Sequence, residues 1–167
     1  MALPSRRTSI AVCFAAGLAA CSAATTTTTS TTFTPVTGVS VSADALIGAR
    51  GCGSQPGQVY KYAAVIYGPS DGSDAGVVAL GAGAYDCYAD ALFANLANSG
   101  VASFTVAIYA YDAPAYAAHA SDIQSALSLA SLDPARLALR ATYVTHCSAS
   151  QQAGVQVLAI CDPLAAP

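Results

Sequence analysis

Cysteine, histidine, aspartate and tyrosine are the side chains of this 167-residue chain with chemistry to offer. Cysteines stand at Cys13, Cys21, Cys52, Cys87, Cys147 and Cys161, and none forms a Cys-x-x-Cys pair. His146 adjoins Cys147, but neighbours on a strand face opposite ways, so the two make a poor start to a zinc site. In an oxidising compartment Cys52, Cys87, Cys147 and Cys161 form an even set and read as two disulfides with three possible connectivities. Cys87–Cys147 with Cys52–Cys161 is the expected pairing. A plain hairpin centred on Ala149–Ala153 would put a residue near 155 opposite Cys147, which argues against a bridge from Cys147 to Cys161.

The other candidates are weaker. His119 and His146 are the only histidines, and neither stands in a Gly-x-Ser-x-Gly nucleophile signature. A Cys147 hydrolase would need a free thiol. Asp86 and Asp90 could pair as glycosidase carboxylates, although Asp is also the ordinary residue of strand ends and turns. Asp71-Gly72-Ser73-Asp74 misses the EF-hand spacing, and the chain has no Glu to supply a bidentate ligand. No catalytic residue, no metal and no cofactor is therefore expected.

Nine tyrosines carry more weight. Tyr109 and Tyr111 fall on the strand face opposite Phe104, Val106 and Ile108, and Tyr60 and Tyr62 share a face of another strand. Exposed side by side, Tyr60, Tyr62, Tyr109 and Tyr111 would make a platform for sugar rings or a protein partner. The plainer alternative, favoured here, is that these tyrosines cap the half-buried edges of a sandwich.

The positioning elements begin with an export signal. Met1–Ala20 has a basic start at Arg6-Arg7, an apolar run from Ile10 to Ala16 and small residues at Gly17, Ala19 and Ala20. The apolar run is too short to span a bilayer. Ser5–Ile10 has a twin-arginine flavour but lacks the bulky apolar residue that follows the arginine pair, so the general secretory route is the better match. Leu18-Ala19-Ala20-Cys21 resembles the lipobox of bacterial lipoproteins. That resemblance implies lipidation of Cys21, an extracytoplasmic location and a membrane anchor, with Ser22 pointing to the outer membrane or cell surface. An ordinary cleaved signal with Cys21 as bystander is the alternative. Residues 21–38, with Thr25–Thr32 at their centre, read as a solvated tether. Its last seventeen residues would reach roughly 55–60 Å if fully extended.

Residues 39–167 have the texture of one mainly β domain. The expectation is a Greek-key-type antiparallel β-sandwich of about seven strands. A short edge strand at Val39–Val41 leads to Ala45–Ile47, and Gly48–Gly57 is a loop. Strands follow at Val59–Tyr67, Val77–Leu80 (ending on a break at Gly81 and Gly83), Phe104–Asp112, Arg140–Ser148 and Gly154–Cys161. Asp112 with Pro114 predicts a helical insertion near 114–130, with Ile123, Ala126, Leu127 and Ala130 on its buried face, laid over one edge or end of the sandwich. Asp133-Pro134 predicts a second short helical turn. The run from Cys87 through Asn95-Leu96 and Asn98-Ser99-Gly100 to the alternating Phe104–Asp112 segment resembles small secreted β-sandwich modules of the prealbumin-like and immunoglobulin-like kinds. It implies a fold and no ligand.

Charged residues make up only 9% of the chain, against about 25% in an average soluble protein. Once residues 1–20 are removed, Arg50, Lys61, Arg136 and Arg140 face nine Asp, a balance with no footprint for nucleic acid. The expected function is a non-catalytic, membrane-tethered binding or structural module of the cell envelope, with a protein or carbohydrate ligand. An extracytoplasmic hydrolase and an accessory subunit of an envelope assembly are the alternatives. A deep pocket with His119 or His146 beside Asp or Ser would favour the hydrolase. A large exposed apolar surface or an unpaired sheet edge would favour the subunit.

Overall fold

A computed structural model describes residues 38–68, 78–94, 96, 103–150 and 156–167. The expected export signal at residues 1–20, Cys21, the Thr tract and residues Asp71–Asp74 lie outside the described residues.

The chain is mainly β, arranged as two sheets with helices on one outer face. β1 (Gly38–Val41) is the middle strand of a three-stranded sheet, between β4 (Ala91–Ala94) and β7 (Gln156–Leu158). It pairs antiparallel with β4 and parallel with β7. The expectation of an edge strand at Val39–Val41 is therefore corrected: β1 is central because the two segments that flank it come from far along the sequence. A five-stranded antiparallel sheet runs β3 (Val78–Asp86), β2 (Lys61–Gly68), β5 (Ser103–Tyr111), β6 (Tyr143–Ser150) and β8 (Ile160–Cys161).

Between the sheets lies the main core. Val39 and Val41 of β1, Tyr62, Ala64 and Ile66 of β2, Phe93 of β4 and Phe104, Val106 and Ile108 of β5 are all buried there. Alternation along β2 and β5 sends the intervening residues to the opposite face, and that face is buried too. Against it pack α2 (Ala113–Ala126) and α3 (Pro134–Arg140). Small side chains at Ala63 and Ala107 leave room for the larger partners Ile123, Leu127 and Leu137. The helical insertion thus covers a sheet face instead of an edge or end. The large sheet is the middle layer of three.

Both helices start where local chemistry requires. Asp112 caps α2 by accepting from the Ala115 N–H at 2.9 Å, with Pro114 in the first turn. Asp133 caps α3 in the same way, accepting from Arg136 N–H at 2.9 Å ahead of Pro134. Ile123, Ala126 and Leu127 are buried, whereas Ala130 falls in a short 3-10 turn and is exposed. Ala45–Ile47, to which the Val39–Val41 strand leads, belongs to α1 (Ala43–Ile47), which Ser42 caps and which turns Leu46 and Ile47 into the core.

Gly81 and Gly83 do not end β3. A Cβ at Gly81 would lie 3.0 Å from the Phe93 ring and 3.2 Å from Ile66, so glycine makes room for a core ring within a continuous strand.

Candidate functional site

The domain's cysteines form two disulfides, Cys52–Cys87 and Cys147–Cys161, with Cα atoms 5.5 and 3.8 Å apart. This corrects the expected pairing of Cys87 with Cys147 and Cys52 with Cys161. No plain hairpin forms between the two cysteines, because the chain leaves the large sheet after β6. β7 joins β1 in the small sheet, the Ala159 N–H donates to Ser40 O at 2.8 Å, and only then does β8 return beside β6. That detour resets the register and sets Cys161 opposite Cys147. Asp162 N–H donates to His146 O, so residues 146 and 162 are the hydrogen-bonded pair and the cysteines occupy the neighbouring non-hydrogen-bonded pair, where side chains approach most closely.

The four-tyrosine platform is likewise corrected. Tyr62 is 1%, Tyr109 8% and Tyr111 0% exposed, and only Tyr60 reaches solvent, at 38%. Tyr109 and Tyr111 do lie opposite Phe104, Val106 and Ile108, but the helices lie over that face. Each buried ring keeps its hydroxyl partnered. Tyr62 donates to Ala89 O, Tyr111 donates to Leu137 O, and Tyr109 hydrogen-bonds Tyr67. Burial raises the hydroxyl pKa of all three above the ordinary tyrosine value, that of Tyr109 to about 12.

The remaining candidates are scattered. His119 is half-buried on α2, and His146 is exposed on β6. His146 lines a shallow depression of about 350 Å³ with Tyr67, Thr105, Ala107 and Tyr109. Asp90 accepts from the Ala43 N–H at 2.8 Å, tying the β3–β4 turn to the start of α1. Asp86 pairs with Lys61, Nζ to Oδ1 2.5 Å. Each of these two carboxylates thus has a structural partner. Among the described residues, no three His, Cys, Asp or Glu side chains cluster as metal ligands would.

What the structure does bring together is a cleft of about 580 Å³ lined by Gly53, Ser54, Tyr60, Asp86, Cys87, Tyr88 and Ala89. One wall is the loop 51–59, closed on itself by Gly53 N–H to Val59 O and Val59 N–H to Gly51 O. The tightness of that loop puts Gly51 and Gly57 at φ 72° and 83°, conformations suited to glycine. The other wall is the β3–β4 turn, where Tyr88 is 77% exposed. The walls are joined covalently by Cys52–Cys87 and again by the Tyr88 hydroxyl, which donates to Cys52 O at 3.2 Å. Tyr60 is held by its N–H to Tyr111 O, 2.8 Å, and by the edge of Tyr116, with ring centroids 5.9 Å apart. Lys61 Nζ lies 5.8 and 5.5 Å from the Tyr60 and Tyr116 ring centroids while it holds Asp86. The hydrogen bond to Asp86 raises its pKa above the ordinary lysine value.

Of the cleft residues, the sequence singles out Tyr60, Asp86 and Cys87 for other reasons and gives Tyr88 no role. The available signal was the adjacency of Tyr88 to a bridging cysteine, which places an aromatic ring on a braced turn.

Compared with family models, curated proteins and solved structures, the chain gives no match.

Proposed function

We propose that this chain is a lipid-anchored, extracytoplasmic binding module: a disulfide-braced sandwich, tethered through Cys21, that presents the Tyr60–Tyr88 cleft to a ligand. The observation that carries this reading is cysteine pairing. Cys52, Cys87, Cys147 and Cys161 are all consumed within the domain. Once the export signal with Cys13 is removed, that leaves Cys21, at the end of the lipobox-like Leu18–Cys21, as the unpaired cysteine of the mature chain. Disulfides suit an oxidising compartment, and the Thr tract supplies a spacer between an anchor and the domain.

The test is subcellular fractionation of the full-length protein and its Cys21→Ser variant in a lipoprotein-processing bacterial host. Wild type should partition with membranes and the variant should be released or retained unprocessed. Identical soluble behaviour of both would refute the anchor.

A second reading, an accessory subunit of an envelope assembly, draws on the outer face of the small sheet. There Leu92 of β4 and Leu158 of β7 flank Ser40, each more than half exposed, and β4 and β7 are the sheet's two edges. Crosslinking in the envelope through a photoreactive residue at position 158 would trap the neighbouring subunit on that reading.

A further inference from the structure

We propose that the Tyr60–Tyr88 cleft takes a neutral saccharide. This rests on the binding-module reading and adds the ligand's chemical class.

Charge decides against the alternatives. The charged side chain that lines the cleft is Asp86, 68% exposed, and its carboxylate is already in contact with the Lys61 ammonium, which is not itself part of the lining. A cationic ligand would meet a carboxylate whose charge Lys61 already balances. An anionic one would have to approach Lys61 beside an exposed carboxylate. A neutral polyol brings no charge to be matched: one hydroxyl donates to the Asp86 carboxylate, and the ion pair with Lys61 stays intact. Ser54 adds a hydroxyl that both donates and accepts.

The apolar part of the lining has a matching form. Tyr60 and Tyr88 both present exposed ring surface, broad and flat at low entropy cost, suited to the C–H face of a pyranose. The volume of about 580 Å³ lies within the range of small-molecule sites, roughly 300–1,000 Å³. The disulfide, the Tyr88–Cys52 hydrogen bond and the Tyr60–Tyr116 contact fix both walls before a ligand arrives. Little ordering cost then remains to be met on binding.

The experiment is ligand-observed saturation-transfer NMR on the purified full-length protein in detergent. The probes are neutral trisaccharides (glucose-based and N-acetylglucosamine-based), a uronate trisaccharide and tetramethylammonium. At least one neutral trisaccharide should receive transfer, with affinity falling by about tenfold or more in Tyr88→Ala and measurably in Asp86→Asn. Circular dichroism and an unchanged count of zero free thiols in the domain would show that both variants fold. Failure of every neutral trisaccharide to bind overturns the proposal, as does binding indifferent to both substitutions. If only the charged probes bind, and lose affinity in Tyr88→Ala, the neutral-saccharide assignment is overturned while the binding-module reading stands. Loss of membrane partitioning would be seen separately, in the Cys21→Ser comparison.

Discussion

Cys161 stands directly opposite Cys147 on the neighbouring strands β8 and β6, and the bond between them closes a loop of 14 residues. Within that loop the chain visits the small sheet as β7, so the disulfide staples the crossing point of the two sheets. Loop-closure entropy puts its contribution at about 3 kcal/mol, and that of Cys52–Cys87, across 35 residues, at about 4 kcal/mol. Cys147→Ala/Cys161→Ala should lower the urea midpoint accordingly. An unchanged midpoint would mean that the crossing is held by packing alone.

Alkaline conditions should destabilise the domain through its buried tyrosines. Burial raises the Tyr109 hydroxyl pKa to about 12 and moves Tyr62 and Tyr111 in the same direction. In the unfolded chain each ionises near about 10. Above that value the folded state holds more protons than the unfolded one, so stability is complete below about pH 10 and falls as pH rises through the folded values. Urea midpoints measured from neutral to strongly alkaline pH should stay level and then drop. Tyr109→Phe should soften the drop.

Gly38→Ala tests whether β1 is seated as described. A Cβ there would come within 2.5 Å of the Phe93 carbonyl oxygen, on the backbone of its partner strand β4. The two strands would have to separate, at a cost of about 1–3 kcal/mol. Thermal unfolding should report it. Ala at the solvent-exposed position Ser54 serves as the control and should be within about 0.5 kcal/mol of wild type.

Helix capping gives a graded pair. Asp112→Ala removes the side-chain acceptor at the start of α2 and should cost about 1 kcal/mol. Leu137→Ala empties a fully buried position where α3 meets the large sheet and should cost about 2–5 kcal/mol. If the two losses came out equal, the helical layer would not be packed as the burial of Leu137 indicates.

Local features were legible in the sequence and long-range ones were not. Asp112 with Pro114 and Asp133 with Pro134 marked both helix starts because capping needs only neighbours in the chain. Alternation from Phe104 to Tyr111 marked β5, and its inner face was read correctly. What lay on its other face depended on where α2 and α3 settle, which alternation alone does not state, so Tyr109 and Tyr111 read as half-buried edge residues or an exposed platform, and neither reading placed them under the helices. The disulfide partners were missed for a similar reason: β7 changes sheets between Cys147 and Cys161, and a hairpin count has no knowledge of that excursion. The cleft itself joins a loop to a turn 35 residues later, so its lining could be assembled only from the folded chain.

The central claim, a lipid-tethered and doubly disulfide-bonded module, is tested most directly by the intact mass of the membrane-extracted protein before and after reduction. The expected species begins at Cys21, carries the added mass of a lipid anchor, and gains four thiols on reduction. An unlipidated chain, or one whose N-terminal cysteine reacts as a free thiol, would contradict the account.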